Sequence, residues 1–102
     1  MRLIVIFDKP VETKEQRKEY ARFRKFLISD GFMMLQYSIY VRYCSNNTVA
    51  EKYVSHVKTF NNKFGDVRII SLTENQFANM VLISGEKSIR EEIETDDSLI
   101  VF

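Results

Sequence analysis

Cysteine, histidine, proline and glycine are all scarce in this chain, and each scarcity narrows what it can be. Cys44 is the only cysteine and His56 the only histidine. A lone cysteine excludes an internal disulfide and a cysteine-based zinc site, and it fits a reducing cytosol, so a cytoplasmic protein is expected. A lone histidine excludes a histidine metal cluster and leaves a nucleophilic triad without support. The default readings are a buried filler for Cys44 and a surface helix residue for His56. The three glycines, Gly31, Gly65 and Gly85, stand apart at the ends of patterned segments, so no glycine-rich phosphate loop is present. With a single proline as well, there is no room for a flexible linker. Internal repeats and low-complexity tracts are missing, and Arg2 leads at once into a short apolar run without a cleavage-type signal sequence. Net charge is only +1, so any basic surface must be local.

What is present is one domain's worth of chain. At 102 residues, 45% of them apolar, a real but modest core is expected. The organising stretch is Arg2-Leu3-Ile4-Val5-Ile6-Phe7-Asp8, a β-branched run too short to cross a bilayer and patterned as a strand buried on both faces. It ends on the carboxylate of Asp8, followed by Lys9-Pro10, which cannot continue a ladder. Strand ends are where ligands meet backbone and side chain together. Capping or solvating the strand end is the plainer role for Asp8.

Thr13 then opens a helix, with Gln16 three residues on as its capping-box partner, running to about Ser29 with Gly31 as its left-handed stop. Tyr20, Phe23, Phe26 and Leu27 form its apolar stripe. A basic stripe, Lys14, Lys18, Arg22 and Lys25, runs along another face, flanked by Arg17 and Arg24 and interrupted only partly by Glu15 and Glu19. From Phe32 to Tyr43 the pattern alternates, with Met33, Leu35, Tyr37, Ile39 and Val41 on one side. One long bent strand and two short strands kinked near Tyr37-Ser38 both fit. Thr48 and Glu51 read as a second capping box, opening a helix to about Phe64 that Gly65 ends. Asp66 to Leu72 is extended, Thr73 to Asn79 a turn or single helical turn, and Met80 to Ser84 extended again. Residues 86–97 are mostly acidic, and Leu99-Ile100-Val101-Phe102 is a short apolar run. Such a terminal run implies docking, onto its own sheet edge or a partner's.

The element order predicts an α+β, ferredoxin-like βαββαβ sandwich over residues 1–85, with residues 86–102 an acidic connector and extra C-terminal strand of the same domain. Two helices cover one sheet face only, and a homodimer through the other face is the cheapest way to bury it. Carboxylate-held Mg²⁺ chemistry is compatible with Asp8, because Mg²⁺ needs only one or two carboxylates plus waters and substrate phosphates. A two-fold axis would bring two copies of Asp8 together, and the metal would polarise a phosphodiester and activate water. The basic stripe reads either as a solvated helix face or as a row of phosphate contacts.

These residues carry a resemblance. The run Leu3 to Asp8, the helix with Arg17-Lys18, Gly31 leading to Leu35-Gln36-Tyr37-Ser38-Ile39-Tyr40, and Asp66-Val67-Arg68-Ile69-Ile70 with Leu72-Thr73 resemble CRISPR-associated protein two, the small adaptation protein of CRISPR systems. Phe7 to Lys14 and Thr73 to Met80 are similar to its version in type II systems. The likeness spans nearly the whole chain; the ordered set, and no single motif, carries it. It implies the ferredoxin-like fold and a homodimer, with a final strand added to the partner's sheet. It implies Asp8 as catalytic residue and Mg²⁺ ligand of a phosphodiesterase, an endoribonuclease or DNA endonuclease. Its main implied role is spacer acquisition, the dimer bridging two dimers of the integrase, CRISPR-associated protein one, and holding duplex DNA on basic surface. Arg17 matches the family's basic first-helix position, and Lys14, Lys18 and Arg22 join it as expected nucleic-acid contacts. Many relatives carry arginines where this chain has Leu35 and Tyr37, and Phe where it has Tyr40. That departure touches strand-borne cationic help to hydrolysis, not a scaffold role. A free-standing Mg²⁺-dependent nuclease using Asp8 from both subunits is the alternative.

Overall fold

The computed structural model describes residues 1–85; the acidic connector and terminal strand expected at 86–102 lie outside the described residues. The elements are β1 (Arg2–Asp8), α1 (Lys14–Ser29), β2 (Met33–Gln36), β3 (Ile39–Tyr43), α2 (Asn47–Thr59), β4 (Asp66–Leu72) and α3 (Glu74–Ala78). The four strands form one antiparallel sheet in the order β2-β3-β1-β4. This is the βαββαβ arrangement of a ferredoxin-like sandwich, with β1 in the interior because both later partners, β3 and β4, pair with it.

The pleat of β1 divides its side chains between two layers. Leu3, Val5 and Phe7 enter the main core with Phe23 and Leu27 of α1 and Ala50 and Val57 of α2. Phe7 meets Phe23 edge-on at 5.0 Å between ring centroids, a favoured aromatic geometry. Ile4 faces the other way, packing with Val41 and with Phe77 of α3. That short third helix, a capping box of Thr73 and Gln76 at its start, covers part of the second sheet face. Arg2 holds it there. Its buried guanidinium donates to the Glu74 carboxylate at 3.0–3.1 Å and lies 4.6 Å over the Phe77 ring. Burial alone would raise the Glu74 pKa, but Arg2 and the Met1 ammonium, 3.0 Å from Glu74 Oε2, together outweigh it and the net shift is downward. Leu35, Ile39 and Leu72 pack partly buried around this second cluster, while Ile6 and Ile70 on the same face are exposed.

Three local expectations change. Of the two readings open for Phe32–Tyr43 the structure takes the two short strands, with a bulge between Met34 and Gln36 and Ser38 in left-handed backbone at φ 64°. Tyr37 therefore leaves the Leu35/Ile39 side and stacks on Tyr20 of α1, 5.7 Å between centroids. The second helix starts two residues early, because Asn46, a better cap than Thr48, accepts the Val49 N–H at 2.9 Å. It also stops at Thr59, not near Phe64. The Lys63 N–H and the Lys63 and Phe64 carbonyls are engaged by Glu19 and Lys9 instead of a helical ladder. Finally, residues 80–84 belong to no strand of the described sheet. A strand needs a ladder partner, and α3 interrupts the hairpin that would fold this run back along β4. Val81 and Ile83 are 74% and 89% exposed.

Burial pushes the Cys44 thiol pKa up, against a smaller opposing pull from Arg42, so Cys44 is an inert core filler as expected. His56 is half-buried on α2 and meets the Asp30 carboxylate through Nδ1 at 2.9 Å. Tyr40 carries the buried hydroxyl that finds no partner among the described residues. Tyr40→Phe removes an unmade hydrogen bond without opening a cavity. It should raise stability by about 1 kcal/mol in urea unfolding; a loss of that size would show that the hydroxyl is satisfied in solution.

Candidate nucleic-acid interface and strand-end carboxylate

Asp8 owes its position to its neighbours. Phe7 and Lys9 both turn into the helix layer, which sends Asp8 to the opposite, exposed face. Lys9 is buried despite its charge. Its Nζ lies 3.3 Å from Glu19 Oε2 and donates to the carbonyls of Lys63 and Phe64 at 3.0 and 3.1 Å, with the Phe23 ring 5.0 Å away. Glu19 also accepts from the Lys63 N–H at 2.9 Å and from Arg22 Nε at 2.9 Å. One buried ion pair thus ties α1, the end of β1 and the loop before β4 into a single support behind Asp8. Gly65 completes it, at φ 76°, its backbone lying directly against that of Asp8 and Lys9.

The β1–β4 register sets Asp66 directly opposite Asp8, and Arg68 opposite Ile6. All of these are exposed. Opposed residues share a sheet face, so Asp8, Asp66 and Arg68 belong to one surface. Sequence reasoning missed the last two. Their signal was the antiparallel return of Asp66–Leu72 beside β1, which sets one terminal carboxylate against the other. Two carboxylates offer hard oxygen donors that suit Mg²⁺. No cluster of three or more His, Cys, Asp or Glu exists among the described residues, so further ligands would be water, substrate phosphate or a second chain.

The four expected nucleic-acid contacts all lie on the exposed surface of α1, but they differ in what else they do. Arg17 donates to the carbonyls of Val11 and Glu12 at 3.1 and 2.9 Å, bracing the β1–α1 connection. Arg22 bonds Glu19 and the Asn61 carbonyl and covers the Phe60 ring at 4.2 Å. Lys14 and Lys18 make no side-chain hydrogen bond, ion pair or ring contact with the described residues and are exposed to solvent.

The frame and the surface together define a class: a small ferredoxin-like protein with a carboxylate pair at a central strand end and a cationic first helix. The sequence profile of the family described as CRISPR associated protein Cas2 matches residues 1–80. The chain is 41% identical over 102 residues to a CRISPR-associated endoribonuclease Cas2 of Streptococcus mutans, covering all of this chain and 92% of that one. It is 49% identical over 87 residues to the protein of that name from Ligilactobacillus salivarius, covering 85% and 86% of the two chains. The Treponema denticola protein of the same name is 42% identical over 101 residues, with 99% of each chain covered. This chain belongs to the Cas2 family.

Proposed function

We propose that this protein is a homodimeric spacer-acquisition subunit that bridges integrase dimers and binds duplex protospacer DNA along α1. The observation that carries the reading is the solvent-facing charge of Lys14 and Lys18 beside Arg17 and Arg22 on one helix of a near-neutral chain. Cationic side chains in a row at helical spacing match the repeat of phosphates, and dimerisation doubles the row. The partly covered sheet face, with Ile6 and Ile70 exposed, and the uncovered Met80–Ile83 run supply apolar surface for the second copy.

Charge reversal of Lys14 and Lys18 should weaken duplex binding at least tenfold and flatten its salt dependence, since each phosphate contact contributes to the slope. Reversal should leave the melting temperature nearly unchanged. Undiminished binding would move the DNA to another surface.

A second reading, a Mg²⁺-dependent nuclease, is favoured by one observation: Asp8 and Asp66 oppose each other across the ladder at an exposed strand end. Like charges so placed repel, and a divalent cation would relieve them. Asp8, with Asp66 beside it, would hold the ion, and the relatives' name, endoribonuclease, is consistent with this. Bound Mg²⁺ would supply phosphoryl polarisation and an activated water; Arg68 would steady a phosphate on the same face. The two readings part at Asp8→Asn. Spacer integration with the purified integrase should proceed at the wild-type rate in the variant, while any Mg²⁺-dependent hydrolysis is lost. Loss of both in a variant that still dimerises would make Asp8 the active centre and overturn the scaffold reading.

A further inference from the structure

One exposed aromatic ring, Tyr37, is stacked on a residue that packs against the core and takes no part in the duplex-binding stripe. Tyr37, 69% exposed, lies nearly parallel to Tyr20, at 18° and 5.7 Å between centroids. Tyr20 rests in turn on the core ring of Phe7, 5.6 Å away, and its hydroxyl lies 3.4 Å from Ser38 Oγ. The pair is held, not incidental. It exists because Ser38 adopts left-handed backbone, φ 64°, a conformation that costs a non-glycine residue about 1–2 kcal/mol. Strain of this kind persists where the surroundings enforce it, and here the Ser38 carbonyl accepts the Phe7 N–H at 3.1 Å. The Tyr37 ring is left largely to solvent, and the Phe7–Ser38 backbone hydrogen bond joins the residue next to it with the residue next to Asp8.

The surroundings define the ligand. Arg17 and Arg24 stand three residues before and four after Tyr20, the two helical spacings that place side chains beside it. Both are exposed, and Arg24 has no partner among the described residues. A rigid flat ring with cations on either side fits a planar base attached to phosphates, and it accepts any base because every base has a π-face. A paired base in a duplex has both faces covered by its neighbours; an unpaired one does not. The pair also lies on the helix side of the sheet, clear of the face assigned to the second copy.

We infer that Tyr37, backed by Tyr20, is a stacking platform for an unpaired nucleobase of single-stranded nucleic acid, with Arg17 and Arg24 on the flanking phosphates. This rests on the nucleic-acid-binding part of the proposed function and adds a base-stacking site to it. The test uses 2-aminopurine placed within single-stranded RNA, within single-stranded DNA, and within a fully paired duplex. The full-length protein should quench the probe in at least one single strand, and the RNA and DNA arms identify which. Tyr37→Ala should weaken that binding roughly 5- to 100-fold, Tyr37→Phe should retain it, and neither should alter duplex affinity or the melting temperature. Equal single-strand binding by wild type and Tyr37→Ala overturns the platform. So does a matching loss on the duplex. Duplex binding without single-strand quenching removes the platform alone and leaves the duplex reading standing; no binding to any of the three removes both.

Discussion

Gly65→Ala should cost about 3 kcal/mol or more and lower the melting temperature by roughly 12–24 °C. A Cβ on Gly65 would stand 2.0 Å from the Asp8 carbonyl oxygen and 2.9 Å from the Lys9 Cα. Both are backbone atoms in the central strand, so no rotamer change relieves the clash. The φ of 76° adds the left-handed penalty of about 1–2 kcal/mol. Either the loop or the end of β1 must shift, and Asp8 moves with it. Gly31→Ala is the comparison. Its φ is 91°, but the new Cβ meets only the Arg42 guanidinium, 3.0 Å away, which can swing aside. It should lose the conformational share and part of the Arg42 bonds to the Asp30 and Tyr43 carbonyls, less in all than Gly65→Ala. Chemical denaturation of the two variants reads this directly; equal losses would mean that close approach to Asp8 is not what demands glycine at 65.

Glu19→Ala should destabilise by about 3–5 kcal/mol, the range for breaking a buried ion pair. The Lys9 and Glu19 side chains are only 1% and 4% exposed. Removing the carboxylate strips a buried ammonium of its counter-ion, leaves the Lys63 N–H without its acceptor and releases Arg22. The double variant Lys9→Met, Glu19→Leu should recover much of the loss, because it removes both charges and keeps the packing. The pH dependence has a definite sign. Burial would raise the Glu19 pKa, but the Lys63 amide, Arg22 and Lys9 together outweigh it and hold it below its ordinary 4.5. A carboxylate lowered on folding contributes its full stabilisation above the unfolded pKa and loses it as pH falls through the folded value. Wild-type stability should therefore decline below about pH 4.5, and Glu19→Ala should show a shallower decline across that window. Glu74, also lowered, retains its share of the slope in both proteins. An unchanged slope in the variant would place the acid sensitivity elsewhere.

Much of the architecture was legible because it repeats a simple period. β1, α1 with its Thr13–Gln16 box, and β4 stand where alternation, helical spacing and capping chemistry put them. What escaped depends on contacts distant in sequence. Glu19 reads as an acidic break in a basic stripe, yet it is the buried partner of Lys9, ten residues earlier, and of Lys63, forty-four residues later. No period carries that information. The end of α2 failed for the same reason: Lys9 draws the 63–64 carbonyls out of any helix. Tyr37 failed because one strained residue, Ser38, reverses the alternation locally. Asp8 was visible as a strand-end carboxylate. Its cross-strand companion Asp66 was not, because a register is a property of two strands and neither contains it alone.

The ribbon from Met80 to Ile83 bears on how the protein fails. Four consecutive apolar residues, all at least 42% exposed, follow β4, an edge of the sheet among the described residues, and no proline or lysine blunts the run. Native edges and strand-forming segments are ordinarily guarded by such residues, because an unguarded one recruits further copies. An isolated chain at high concentration therefore has a ready path to precipitation that does not pass through unfolding. Cloudiness during purification would signal loss of whatever shields this ribbon, not a defective core, and the remedy is dilution or a shielding charge at Val81 rather than repair of the packing beneath.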